Sequence, residues 1–284
     1  MNEHTHTYRA LLVIGRERLE RAGIETAALD AAVLLAHVAG LTRTALYVRL
    51  PEHVNSASHA QYDAIIAERE RGIPVAYLVG TKEFFGLTFT VTPATLVPRP
   101  ETELLVQWAI NWLITHPNAH LAVDVGTGSG AIAVSLAQYV PNIAIVATDV
   151  SAVALQVARG NAIRHGVADR IAFVQGDLLL WLRQPVSLVI ANLPYLTDTQ
   201  ADDTGIAAEP RTAFAGGDED GFALYRQLIP QVARRLTVNG GFAFEIDPAQ
   251  ATVARNACTH AFPDAEITVH QDLAGLSRFI SVKK

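Results

Sequence analysis

The strongest constraint on what this chain can fold into is one turn. An apolar run, Leu121–Val125, leads into Gly126-Thr127-Gly128-Ser129-Gly130 and then into a helix-forming stretch, Ala131–Tyr139. Glycines let the backbone turn sharply and let another molecule come close to it. Three alternate glycines between a strand and a helix are hard to explain by packing alone. They suit a loop that meets a ligand, with the unpaired N–H groups of the next helix at hand.

The rest of the chain agrees with a strand–loop–helix repeat. Strands are predicted at 121–125, 143–148, 171–175, 187–191, 242–246, 266–270 and 279–282, and helices at 131–139, 152–165, 222–236 and 249–261. Alternating β and α units imply an α/β fold, with a mainly parallel sheet covered on both faces. Ligands in such sheets bind beyond the carboxyl ends of the strands, where the strand order reverses. The loops after the first and fourth strands are the places to look for chemistry. Before residue 80 the pattern is helical instead: Leu11, Leu12, Leu19 and Ile24 recur at helical spacing, and Glu68-Arg69-Glu70-Arg71 closes a helix at Gly72. We therefore expect a small helical partner-binding domain over 1–82. A β-hairpin linker with Pro93 at its turn or edge follows over 83–98, and a catalytic α/β domain over 99–284.

Composition narrows the class. Half of the 284 residues are apolar and 18% are charged, enough apolar material for a packed core and too little charge for a disordered chain. Cys258 is the single cysteine, so neither an internal disulfide nor a cysteine-based zinc site can form, and a reducing compartment fits. The net charge is −6, and the segment 86–284 holds 13 Lys and Arg against 18 Asp and Glu. That balance disfavours nucleic acid as the partner. The N-terminus carries His4, His6 and Arg9 with no apolar run, and the most apolar region is broken by Gln138, Pro141 and Asn142. No signal peptide and no membrane span is expected, and a cytoplasmic location is.

Three acids accompany the glycine loop. Asp124 precedes it, Asp149 ends the second strand 23 residues after Gly126, and Asp177 follows the third strand. A carboxylate at 149 can accept hydrogen bonds from both hydroxyls of an adenosine ribose, and one at 177 can meet the adenine amine. The loop alone fits a nicotinamide dinucleotide and S-adenosylmethionine nearly equally. The Asp-x-Gly-x-Gly-x-Gly order and the third acid favour S-adenosylmethionine.

The fourth strand ends in Asn192-Leu193-Pro194-Tyr195. This tetrapeptide resembles the [Asn/Asp/Ser]-Pro-Pro-[Tyr/Phe] motif of methyltransferases that modify planar nitrogens, namely adenine N6 and the glutamine amide. The lone pair of such a nitrogen is delocalised, which makes it a poor nucleophile. Two acceptors that take its two N–H bonds pull it toward tetrahedral geometry and localise that pair. The Asn192 side-chain oxygen can be one acceptor and the main-chain carbonyl of Leu193 the other. Pro194 fixes the turn that aims that carbonyl, and Tyr195 can stack on the planar group.

Further segments narrow the choice: Thr92 through Glu103, Glu209-Pro210, Gly216-Gly217-Asp218-Glu219-Asp220-Gly221 running into Tyr225-Arg226, and Glu245-Ile246. With the tetrapeptide they resemble the protein release factor glutamine methyltransferase family, also called HemK or PrmC, strongly over 73–284 and in layout before that. The resemblance implies a class I S-adenosylmethionine-dependent methyltransferase, Rossmann-like with a seven-stranded mixed sheet and a small N-terminal helical domain. It implies methylation of the side-chain amide nitrogen (N5) of the Gln in the Gly-Gly-Gln tripeptide of class I peptide chain release factors. S-adenosylmethionine would be the donor and S-adenosylhomocysteine the product. By resemblance, Asp124, Gly126, Thr127, Gly128, Ser129, Gly130 and Asp149 hold the cofactor, with Asp177 and Leu178 at the adenine and Asn192 at its methyl end. Asn192, Leu193, Pro194 and Tyr195 hold the glutamine amide, and Arg99, Pro100, Glu101 and Thr102 line the entrance. Asn192, Pro194 and Tyr195 are the catalytic group, no metal is implied, and a monomer is expected.

Three positions depart from the family pattern. Leu193 replaces a proline, Leu178 an aromatic residue, and Asp247-Pro248 the glycine that commonly follows Glu245-Ile246. The alternatives are an adenine-N6 nucleic-acid methyltransferase, a ribosomal-protein glutamine methyltransferase, and a non-enzymatic binding module. His116 and His120 flank Pro117 and make a poor metal pair, Asp202-Asp203 reads as a solvated loop, Cys258 as core, and Glu209 as an organiser of its loop.

Overall fold

The computed structural model describes residues 6–197, 199–200 and 208–284; Asp202-Asp203 lies outside them. The chain forms two units, 1–81 and 82–284. The described residues of the first form five helices: α1 (Tyr8–Arg21), α2 (Ala27–Val38), α3 (Arg43–Val48), α4 (Ser56–Glu70) and α5 (Val75–Val79). Thr7, Thr42 and Asn55 cap α1, α3 and α4 by accepting a backbone N–H from the first turn. Leu11, Leu19, Leu34, Leu35, Leu46 and Ile66 fill the core around Tyr62, whose buried hydroxyl donates to the Ala31 carbonyl.

The second unit opens with a hairpin, β1 (Thr81–Phe84) and β2 (Leu87–Thr90). Its turn is at Phe85-Gly86, with φ of 50° and 72°, and not at Pro93, which lies beyond β2. With positive φ at both of its central positions, this turn excludes proline from either. Phe85 is held there at both ends: its N–H donates to Glu103 and its carbonyl accepts from the Tyr139 hydroxyl. Phe84 and Phe89 are buried in the core of this unit.

A seven-stranded sheet follows. Its strands are β3 (Leu121–Val125), β4 (Ala144–Asp149), β5 (Ile171–Gln175), β6 (Val186–Ala191), β7 (Leu236–Glu245), β8 (Glu266–Gln271) and β9 (Ser277–Lys283), in the order β5-β4-β3-β6-β7-β9-β8. The pairs from β5 to β7 are parallel, and β9 runs antiparallel to both neighbours. β3 and β6 are buried along their whole length, as strands covered on both faces must be. One face carries α6 (Thr102–Thr115), α7 (Ala131–Tyr139) and α8 (Ala152–Arg164), and the other α9 (Ala223–Arg235) and α10 (Ala251–Ala261). Cys258 sits in the second core. β7 starts six residues earlier than the apolar pattern suggests. Asn239, at φ 60°, bends its first half, and the pairing with β6 shifts register there.

Strand order reverses between β3 and β6. Val125 pairs level with Thr148 and Ala191, and Ala191 is level with Phe244. The next residue on each strand therefore reaches the same edge: Gly126, Asp149, Asn192 and Glu245. Register alone gathers these four from four distant parts of the sequence. No helix among the described residues is long and apolar enough to cross a membrane.

Candidate active site

A cavity of about 430 Å³ opens at this edge. Gly126, Gly128, Asp149, Asp177 and Asn192 stand on its wall. A second, smaller one of about 80 Å³ is lined by Arg99, Tyr195 and Phe214. Both are bounded by Asn192, Leu193 and Pro194.

The glycine loop is held from below. Gly126 and Thr127 both donate their N–H to the Thr148 carbonyl at 2.9 Å. One oxygen of Asp124 accepts from the Thr127 hydroxyl at 2.6 Å and the Ala133 N–H at 3.2 Å. Asp124 is fully buried and lies beneath the loop, outside both linings. Burial pushes its carboxyl up to about 7, against those two hydrogen bonds. Asn161, also fully buried, donates to the Ser129 carbonyl and exchanges two bonds with Thr90, tying the loop to β2. Gly126 cannot be replaced without strain. Its φ is 74°, and a Cβ would meet Leu193 Cδ2 at 2.7 Å. Nothing lies within 4 Å of the point where a Cβ on Gly128 would sit.

Asp149 is aimed by its own backbone surroundings. One carboxylate oxygen accepts from the Gly128 N–H and the other from the Ser151 N–H, both at 2.9 Å. Asp177 is exposed at the rim, and Leu178, at φ 47°, forms buried wall beside it. The Trp181 indole donates to the Leu178 carbonyl.

The Asn192–Tyr195 turn is braced from three sides. The Leu193 N–H donates to the hydroxyl of Tyr225, a fully buried residue on α9, at 3.0 Å. The Gln250 amide donates to the Tyr195 and Asp220 carbonyls, both at 2.8 Å. The 216–221 loop lies so close that a Cβ on Gly221 would sit 2.2 Å from the Tyr195 carbonyl oxygen. That approach accounts for Gly221, and for Gly216, where a Cβ would sit 2.7 Å from the Pro194 carbonyl oxygen. Asn192 Nδ2 donates to the Thr102 hydroxyl at 3.0 Å, and Thr102 donates to Glu245 Oε2 at 2.6 Å. The Tyr195 hydroxyl donates to Glu245 Oε1 at 3.2 Å. Glu245 is buried, and loss of water pushes its carboxyl up to about 7. The same burial, with Glu245 beside it, drives the Tyr195 phenol upward.

Arg99 lines both cavities and pairs with Glu209, whose other oxygen accepts the Val97 N–H. Glu209 thereby joins the segment before α6 to the loop after β6. Pro100 and Glu101 line neither cavity and form the turn that starts α6. Residues 247–250 are shaped by a capping box: Asp247 accepts from Ala249, and its own N–H is taken by Gln250. His116 stacks on Trp112, and His120 meets Ser187. The sequence reading gives no role to Glu245, Tyr225, Gln250 or Asn161. For Glu245 a signal existed, since it is an acid closing an otherwise apolar strand.

Comparison with known proteins decides the family. Residues 10–80 match the model of the PrmC N-terminal domain, and residues 102–209 that of the methyltransferase small domain. A release factor glutamine methyltransferase of Bradyrhizobium diazoefficiens is 38% identical, over 94% of this chain and 91% of that protein. One from Nitratidesulfovibrio vulgaris is also 38% identical, over 98% and 95%. The chain belongs to the release factor glutamine methyltransferase family. Among solved structures, a methyltransferase from Pyrococcus furiosus superposes with a TM-score of 0.53 at 17% identity, over 77% of this chain and 98% of that one. A ribosomal protein L11 methylase from Lactobacillus delbrueckii gives 0.50 at 21%, over 68% and 83%. These two share the fold, which is that of a Rossmann-like methyltransferase. Membership in a methyltransferase family implies S-adenosylmethionine as the methyl donor.

Proposed function

We propose that the chain methylates the side-chain amide nitrogen (N5) of the Gly-Gly-Gln glutamine in class I peptide chain release factors. It acts in the cytoplasm as a monomer. The observation that carries this reading is the meeting of the two cavities at Asn192–Pro194. The larger is the size of a nucleoside-bearing donor and the smaller that of one extended side chain. The residues fit the donor. Gly128 opens toward the larger cavity with no atom in its way, and Asp149 stands there with an aimed carboxylate. Asp149 would hold the ribose hydroxyls, and Asp177 and Leu178 the adenine. The loop from Gly126 to Gly130, locked by Asp124, would let the donor lie against backbone.

S-adenosylmethionine supplies an electrophilic sulfonium methyl and leaves as S-adenosylhomocysteine. The protein's part is to orient and to accept. Asn192 Oδ1 and the Leu193 carbonyl would take the two N–H bonds of the glutamine amide, which localises its lone pair toward the larger cavity. The Tyr195 ring stands on the wall of the smaller cavity, where it can lie against the planar group. The phenol is held neutral by its upward shift and acts as a hydrogen-bond donor to Glu245, not as a base.

Radiolabelled methyl transfer tests this. The acceptors are a class I release factor, the same factor with its Gly-Gly-Gln glutamine replaced, and duplex DNA. Label on the first alone is expected. Label on DNA would overturn the substrate assignment in favour of adenine N6, and label on the glutamine-less factor would overturn the acceptor atom.

A further inference from the structure

A primary amide such as Asn192 can present either its oxygen or its NH2 to a cavity. The two ends have nearly the same size, so only hydrogen bonds choose between them. Here the choice is made by Thr102, a buried residue on the wall of the larger cavity. Thr102 Oγ1 lies 2.6 Å from Glu245 Oε2 and 3.0 Å from Asn192 Nδ2. A hydroxyl has one proton. An ionised carboxylate has none, so the Thr102 proton must point to Glu245. Only lone pairs then face Asn192, and only an N–H can meet them. The Tyr195 hydroxyl, on the other Glu245 oxygen, supplies the second donor that the buried charge needs.

We propose that Thr102 and Glu245 are positioning residues that fix the polarity of Asn192, so that its oxygen, the end that accepts a substrate N–H, faces the cavities. This rests on Asn192 as the amide-holding residue in the function proposed above. It also accounts for an acid buried at 3% exposure and outside both cavity linings. With Glu245 protonated, the carboxyl can donate to Thr102. The Thr102 proton is then free to turn to Asn192, and the amide is no longer held oxygen-out. The groups that face Glu245 are Thr102 and Glu101 at the start of α6, Tyr195 after β6, Tyr225 of α9, and Arg278 of β9, itself paired with Asp272.

The polarity can be read without any turnover. Neutron diffraction from the deuterated enzyme should show the Asn192 ND2 group directed at Thr102. An ND2 group facing the cavities would overturn the proposal, whichever substrate the enzyme takes. Methyl transfer supplies the second test. Thr102→Val should lower kcat by about tenfold, the worth of one hydrogen bond, with affinity for S-adenosylhomocysteine within about twofold. Thr102→Ser keeps the hydroxyl and should restore most of the turnover. A folded Thr102→Val enzyme with wild-type kcat would refute the relay. Should that variant lose its fold, Glu245→Gln decides through pH. Wild-type kcat should rise with pH through a midpoint near 7, as Glu245 loses its proton, and this step should vanish in Glu245→Gln. The same step in both enzymes would place the titration elsewhere and overturn the role of Glu245.

Discussion

Replacing Tyr225 by Phe removes one oxygen atom from the centre of the site's support. Tyr225 is fully buried, and its hydroxyl accepts the Leu193 N–H at 3.0 Å. The ring itself stays packed between Phe222 and Phe244, so the apolar contacts survive. What is lost is the acceptor. The Leu193 N–H remains, inside a core that water does not reach. An orphaned buried donor costs about 1–3 kcal/mol. For a unit of this size each kcal/mol moves Tm by about 2–4 °C, so the drop should be about 2–12 °C. The same bond fixes the peptide plane between Asn192 and Leu193, from which both proposed amide acceptors depart. Loosening it should lower kcat by about tenfold, while the donor's affinity holds, because the glycine loop and Asp149 are not touched. Calorimetric unfolding, methyl transfer to a release factor and titration with S-adenosylhomocysteine measure the three quantities. An unchanged Tm with unchanged kcat would refute the claim that this hydroxyl holds the turn. An equal loss of turnover and donor affinity would mean that the whole sheet edge had moved.

Three further outcomes are expected. Asn192→Ala should lower kcat by about 10²–10³ by removing one preorganised acceptor, and turnover near wild type in a methyl-transfer assay would contradict its role. Asp149→Ala should weaken S-adenosylhomocysteine binding in calorimetry far more than it lowers the rate at saturating donor. The folded-state pKa of Asp124 is raised to about 7 from an ordinary 3.8. Its contribution to stability is therefore full below about pH 4 and is lost as pH rises through 7. Asp124→Asn cannot titrate, so its Tm should fall less than that of the wild type between pH 5 and 8, a difference that thermal scans at several pH values would show.

The architecture was largely legible in the sequence, because strand and helix periods are local properties. Apolar runs of four to six residues, spaced by helical stretches, locate the seven strands to within a residue or two, apart from the bent start of β7. The glycine loop and Asn192-Leu193-Pro194-Tyr195 stood out for a related reason: each is a continuous stretch with a local pattern. The hairpin turn was misplaced because Phe85 in a left-handed conformation has no local signature. It is tolerated there because Glu103 and Tyr139, 18 and 54 residues away, hold its backbone.

What the sequence by itself determined, then, is the sheet, and it singled out the glycine loop and the tetrapeptide at its edge. What only the tertiary structure decided is how that tetrapeptide is held. Thr102, Tyr225, Glu245 and Gln250 come from two helices, a strand end and a short helical turn, and nothing in their spacing links them. They meet because parallel register brings strand ends level, so that Asn192 and Glu245 stand side by side. The hydrogen bonds by which they hold the turn and one another run between groups 30 to 143 residues apart. A buried carboxylate or hydroxyl is stable only where partners replace its water, and those partners exist only once the chain has folded.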